Sequence, residues 1–268
     1  MEELADVIFD VGAHKGEDSA FYLRLGYRVV AVEANPALVE HLKARFSREI
    51  AAGTYTLIGR AIGNADGAIT FFVNNDVSVW GTADPRWAAR NKRLGTESRE
   101  IKVPCVKFSE LLKSYGCPHY LKIDVEGADM LCVRDLSAIA CRPRYLSLES
   151  SKTSWSDLLA EFDTLAQLGY TRFKVVDQTR HRSGTFRTRT DQALSHSFED
   201  GASGPFGADL PGRWLSKWRA ILRYVPIFLS YKTFGDENLW INRLVRRFPI
   251  LHRVIPEAHW YDTHAMRE

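Results

Sequence analysis

The chain is 268 residues long, 45% hydrophobic and 26% charged. That is the balance of a globular protein with a sizeable core, and it excludes disordered and collagen-like classes. The net charge is only +3, so nothing in the total demands a nucleic-acid partner.

The charge is unevenly spread. Residues 177–268 carry 14 Lys and Arg against 10 Asp and Glu, and they also hold Trp214, Trp218, Trp240 and Trp260. This leaves open either a solvated basic face or a weak contact with an anionic or membrane surface. Cys105, Cys117, Cys132 and Cys141 form no C-x-x-C pair, and reduced, partly buried thiols are expected. The first strand begins near Asp6, which leaves no room for a signal peptide. The most apolar late stretch, 220–231, is broken by Arg223 and Pro226 and is far shorter than the ~20 residues a spanning helix needs. A cytoplasmic protein without a transmembrane segment is the expectation.

Taken in chain order, Val7-Ile8-Phe9-Asp10 is a short apolar run ending at Gly12, as in a buried strand. Residues 17–25 read as a helix stopped by Gly26, and residues 28–33 as a second buried strand. Asn35 is a candidate N-cap with Pro36 at the first helical position. Leu38, Leu42, Phe46 and Ile50 make one apolar stripe on the helix that follows. Residues 55–60 form a third strand, and Asn64-Ala65-Asp66-Gly67 a turn before a further strand at 69–73. Residues 74–99 show no clear period and read as a loop. A strand at 101–106 and a short helix at 108–114 follow. Two apolar strands at 120–124 and 144–149 each end in a carboxylate, with a helical turn at 130–136 between them. Leu158, Leu159, Phe162, Leu165 and Ala166 mark an amphipathic helix stopped by Gly169, and residues 170–176 another strand. Asn238-Leu239-Trp240-Ile241 reads as the last strand, which makes 177–235 an insertion between two edge strands.

Strands alternating with helices at this spacing imply βαβ units, hence an α/β fold with a doubly wound, mostly parallel sheet. Ligands in such sheets bind at the carboxyl ends of the strands, where strand order reverses. The chemically conspicuous residues fall at such ends: residues 10–16, Glu33, Asp124 and Glu149.

The first constellation is Asp10-Val11-Gly12-Ala13-His14-Lys15-Gly16. Gly12 permits a sharp turn, Gly16 a close approach to the backbone, and the following helix offers free N–H groups. The pattern lacks the G-x-G-x-x-G of most dinucleotide folds. An acid at the end of the strand repels a pyrophosphate and can accept from a ligand ammonium. Glu33, ending the second strand, is placed to accept both hydroxyls of a ribose. Lys122-Ile123-Asp124-Val125-Glu126-Gly127-Ala128-Asp129 brings acids and a glycine to the same rim. Burying those acids is costly unless they meet a cation, a donor or a metal.

These motifs, with Val32-Glu33-Ala34-Asn35-Pro36 and Arg60-Ala61-Ile62-Gly63-Asn64, resemble the FkbM family of class I methyltransferases. The resemblance covers roughly residues 6–176 and 236–242. It implies a Rossmann-like seven-stranded, mostly parallel sheet, S-adenosylmethionine as methyl donor, and a hydroxyl of a small molecule or carbohydrate as acceptor. It further implies that Asp10, Gly12 and Gly16 cradle the amino-acid end of the donor and Glu33 its ribose. Ala61 and Ile62 would pack near the adenine, and Asp124 would close the site beside the sulfonium. His14 stands where many relatives carry a small polar residue.

The domain expectation is a methyltransferase core over 1–176 and 236–242, an inserted substrate cap over 177–235, and a C-terminal extension over 243–268. An alcohol acceptor must lose a proton, and Asp124, Glu126 and Glu149 are the candidate catalytic groups. Asp124 and Glu149 together can also offer oxygen ligands to a divalent cation, so whether a metal takes part stays open. Rival readings are an NAD-dependent oxidoreductase, against which Asp10 and the missing G-x-G count, and a catalytically idle binding module. A nucleic-acid methyltransferase is disfavoured for want of a Pro-rich catalytic motif. Oligomeric state is not legible.

Overall fold

The computed structural model describes residues 1–152, 154–178, 183–234 and 260–268. Its centre is a seven-stranded sheet of β1 (Glu3–Val11), β2 (Arg28–Val32), β3 (Tyr55–Ile58), β7 (Cys117–Ile123), β8 (Tyr145–Glu149), β9 (Arg172–Asp177) and β12 (Tyr261–Met266). Their order is β3-β2-β1-β7-β8-β12-β9. The chain builds outward from β1 to β3 on one side, then restarts at β7 on the other. The carboxyl ends of β1 and β7 therefore flank the switch point at which doubly wound sheets bind ligands. All neighbours pair in parallel except β12, which runs antiparallel to β8 and β9. Ile8, Phe9 and Val11 of β1 are buried on both faces, which is why this strand reads as an unbroken apolar run.

One face carries α5 (Phe108–Tyr115), α6 (Asp129–Ala138), α7 (Trp155–Gln167) and α8 (Lys217–Phe234). α8 lies beside α7: Tyr224 meets Phe162 at 6.1 Å and Phe228 meets Trp155 at 4.9 Å. The other face carries α1 (Glu17–Arg24) and α2 (Pro36–Arg45), which Asn35 caps through the Ala37 N–H at 3.1 Å. The stripe from Leu38 to Ile50 is split at Phe46, where a five-residue helix, α3 (Ser47–Ala51), restarts. This face is completed by the hairpin β10 (Ser183–Arg187) and β11 (Ala193–Ser197). Phe186 and Phe198 each sit 4.9 Å from Phe21 of α1, and Phe206 stacks on Tyr120 of β7 at 4.2 Å.

A second sheet, ordered β4-β6-β5, joins β4 (Ala61–Ile62), β5 (Gly67–Asn74) and β6 (Ser98–Val106). Between β5 and β6, in the segment read from sequence as a loop, lies α4 (Pro85–Arg93). The Asp84 side chain caps it through the Arg86 N–H at 2.8 Å, with Pro85 in its first turn. The helix buries only Asn91, so it has no apolar stripe for a period to reveal.

Two further expectations are corrected. The strand between β8 and β9 is formed by Tyr261–Met266, inside the span expected to be a C-terminal extension. Its residues Asp262, Thr263 and His264 are buried. Asp262 accepts from the Gln178 amide, and Thr263 bonds Ser150 at 2.6 Å and Tyr224 at 2.7 Å. With Asp262 and Thr263 bonded by neighbouring elements, the strand can bury polar residues and so shows no apolar signature. Asn238 to Ile241, expected as the last strand, lie outside the described residues. The second correction is that Cys117 and Cys141 form a disulfide. They stand at the start of β7 and just before β8, adjacent parallel strands, with Cα atoms 5.3 Å apart. That proximity is set by the sheet rather than by spacing along the chain. Cys105 and Cys132 are free and buried.

Candidate active site

The loop leaving β1 is shaped by its contact with β7. Gly12 has φ +88°, and a Cβ there would fall 1.8 Å from the Asp124 carbonyl oxygen. Only glycine lets the two strand ends meet this closely. The Asp124 N–H in turn donates to the Val11 carbonyl at 2.8 Å. Gly16, also at positive φ, faces Phe46 and caps α1. Its smallness serves helix packing.

His14, at φ +49°, is fixed on three sides. Its N–H donates to Glu33 Oε2 at 2.9 Å, Nδ1 lies 3.1 Å from Glu17 Oε1, and Nε2 lies 2.9 Å from Ser78 Oγ. The other Glu33 oxygen accepts from the Asn35 N–H at 2.8 Å. Burial raises the Glu33 carboxyl above the ordinary range, against the pull of these N–H groups. The Glu33 carboxylate is thus held rigidly by backbone and keeps lone pairs for a ligand.

Sequence reasoning passed over the group at the centre of the site, Lys122. Its Nζ lies 3.3 Å from Asp10, 3.3 Å from Asp18 and 3.4 Å from Asp124. Asp10 is fully buried and also accepts from Ser19 Oγ at 2.6 Å. Asp18 accepts from the N–H groups of Ser203 and Gly204 at 2.9 Å and 3.3 Å. Burial pushes the Asp18 carboxyl up to about 6, with Lys122 opposing and Asp10 adding to the rise. Of the three acids only Asp124, at 42% exposure, opens to solvent. A lysine inside an apolar strand pattern is the signal that was available.

Beyond β7, Glu126 takes φ +43°, a conformation that costs a non-glycine residue of order 1–2 kcal/mol. Burial and then the negative charges of Glu149, Asp124 and Asp129 raise its carboxyl well above the usual range. Asp129 is pushed up to about 7 by burial and by Asp124 and Glu149. Glu149 is bonded to Lys152, and Asp262 lies opposite it in the register of β8 and β12.

A cavity opens between these loops at the carboxyl ends of β1, β2 and β7. Gly12, His14, Glu33, Ala61, Ile62, Asp124 and Glu126 line it, together with Lys122. Asp10, Gly16 and Glu149 do not. Ser78, Val79, Gly81 and Ala83 cover one side, so part of the wall comes from the segment around α4. That cover is pinned by Thr82 Oγ1, which donates to the Glu126 carbonyl at 2.6 Å. It is pinned again by Trp87, against which a Cβ on Gly127 would clash at 2.4 Å. From the span expected as a substrate cap, Gly201 reaches the cavity. Among the described residues no group of three or more His, Cys, Asp or Glu side chains is arranged to hold a metal ion. Asp124 and Glu149, the expected pair, each engage a lysine.

Among solved structures, the chain is similar to an S-adenosylmethionine-dependent methyltransferase from Geobacter sulfurreducens in complex with S-adenosyl-L-homocysteine. The identity is 12%, over 100% of this chain and 86% of that one, with a TM-score of 0.38. A precorrin-6y C5,15-methyltransferase from Geobacter metallireducens shares 15% identity over 73% of this chain and 77% of its own, with a TM-score of 0.36. No curated protein matches the sequence. The model of the methyltransferase FkbM domain matches residues 10–172, a span running from the acid that ends β1 into β9 and taking in every wall of the cavity except Gly201. With more than half of its length matched, the chain belongs to the FkbM methyltransferase family.

Proposed function

We propose that the protein transfers the methyl group of S-adenosylmethionine to a hydroxyl of a small molecule or carbohydrate. The observation that carries this reading is the charge of the cavity wall. Glu17, Asp18, Glu33, Asp124 and Glu126 line it, against Lys122 and Arg60. That excess of carboxylate suits a ligand bearing an ammonium and a sulfonium, and it opposes the pyrophosphate of a dinucleotide. The residues fit the donor at both ends. Glu33, fixed by two backbone N–H groups, is the acceptor for ribose hydroxyls, and Ala61 and Ile62 offer an apolar wall to a purine. Asp124, the exposed member of the Lys122 cluster, stands where the amino-acid end or the sulfonium would lie.

The bound donor supplies an electrophilic methyl carbon. The protein's own contribution is to hold the acceptor in line and take its proton. Glu126 is the base of choice. It lines the cavity, its backbone is held by Thr82, and burial together with its neighbouring acids makes it a stronger base than a free carboxylate. Asp124 and Glu149 sustain that basicity by charge. The span 177–235, expected as a substrate cap, touches the donor side through Gly201 and through the Ser203 and Gly204 N–H groups on Asp18. We assign acceptor contact to the cover around α4. Calorimetry tests the donor: S-adenosylhomocysteine should bind and NAD should not. Incubating an extract with methyl-labelled donor and following label by mass spectrometry tests the acceptor class. Label found only on nitrogen or carbon would overturn the hydroxyl assignment.

A further inference from the structure

α8 carries an apolar band that the core does not use. Its inner side, Ala220, Ile221, Tyr224 and Ile227, is buried on α7 and the sheet. Trp218, Leu222 and Val225, spaced four and three apart, form a second row on its outer side, 65%, 65% and 40% exposed. Arg219 and Arg223 are exposed in a row beside this band. From Arg213 to Phe234 the sequence holds five Lys and Arg and not one Asp or Glu. No helix among the described residues is long and apolar enough to cross a membrane.

We propose that the outer face of α8 docks on an anionic lipid surface, with the helix axis lying in the plane of the interface. The pattern is that of an interfacial helix: a Trp and aliphatic side chains on one strip, basic side chains beside it, and no acid on the helix itself, the nearby Asp163 of α7 being paired with Lys217. Two features favour a bilayer over a second copy of this chain. A symmetric pairing of α8 with itself would bring two rows of arginine together with no carboxylate on either helix to neutralise them. The band is also a convex ridge, which acyl chains accommodate without a matching groove. Lys152 lies 5.4 Å from the ring centre of Tyr231, near the far end of α8. Because Lys152 also pairs with Glu149, that end of the docked helix adjoins the rim of the active site.

The test is co-sedimentation of the full chain with vesicles of phosphatidylcholine alone and of phosphatidylcholine mixed with phosphatidylglycerol. Binding should require the anionic lipid and fall steeply at ~1 M salt, where charges are screened beyond ~3 Å. Arg219→Gln with Arg223→Gln should weaken it about thirty-fold from two lost charges. Trp218→Ser with Leu222→Ser should abolish it. Both variants should keep the S-adenosylhomocysteine affinity of the parent, which separates docking from folding. Absence of binding to anionic vesicles, equal binding to neutral ones, or equal binding by the variants overturns the proposal. So does a concentration-dependent dimer that the Trp218 and Leu222 changes dissolve.

Discussion

Replacing Lys122 with Met tests the electrostatic centre of the site. The lysine is one cation within 3.4 Å of three carboxylates, and Asp10 and Asp18 are almost fully buried. Methionine fills most of the volume and removes the charge. Removing one partner of a buried ion pair costs about 3–5 kcal/mol, because the other charge is left uncompensated. With two stranded buried acids the upper end, about 5 kcal/mol, is expected near neutral pH. The loss should depend on pH with a defined sign. A carboxyl whose folded pKa lies above its unfolded value near ~3.9 adds stability that is complete below that value and lost as pH rises through the folded one. For Asp18 in the parent that window closes at about 6. Without Lys122, which opposes the rise, Asp18 holds its proton more tightly, so the window extends upward. The variant's deficit should therefore be largest at ~pH 8 and shrink toward ~pH 5. Urea unfolding followed by circular dichroism at the two pH values measures it. A deficit below about 1 kcal/mol, or one that does not change with pH, would refute the assignment of Lys122 as the shared counter-ion.

Glu33→Gln should weaken S-adenosylhomocysteine binding by about 1–3 kcal/mol in calorimetry, since one fixed acceptor oxygen becomes a donor. Glu126→Gln should lower kcat by ~10²–10⁴ while leaving donor affinity unchanged. The parent's rate should climb with pH as the raised Glu126 carboxyl ionises, and the variant's profile should be flat there. Cys141→Ser should cost roughly 3 kcal/mol of stability, the cross-link closing a separation of 24 residues. Reductant should reproduce that loss in the parent and leave the variant unaffected.

Local chemistry determined the first half of the fold. An apolar run followed by Gly12, the Asn35-Pro36 cap, and acids at strand ends are written in adjacent residues, so β1, α2, the switch-point rim and the place of Glu33, Asp124 and Glu126 were legible without coordinates. What depended on distant partners was not. Asp10 reads as a ligand acceptor from its position, yet Lys122, 112 residues away in sequence, turns it inward. Cys117 and Cys141 pair because the sheet sets β7 beside β8. Tyr261–Met266 becomes an interior strand because Gln178, Ser150 and Tyr224 bond the Asp262 and Thr263 side chains that hid it. Nor could periodicity reveal that the chain after β9 fills the α1 face with Phe186, Phe198 and Phe206, since these rings find their partners on α1 and β7, far away in sequence. Sequence fixes which side chains can turn, cap or ionise locally. Whether a buried charge faces a ligand or another residue is settled only when the fold decides what stands opposite it, because the cost of burial is cancelled by whichever partner arrives.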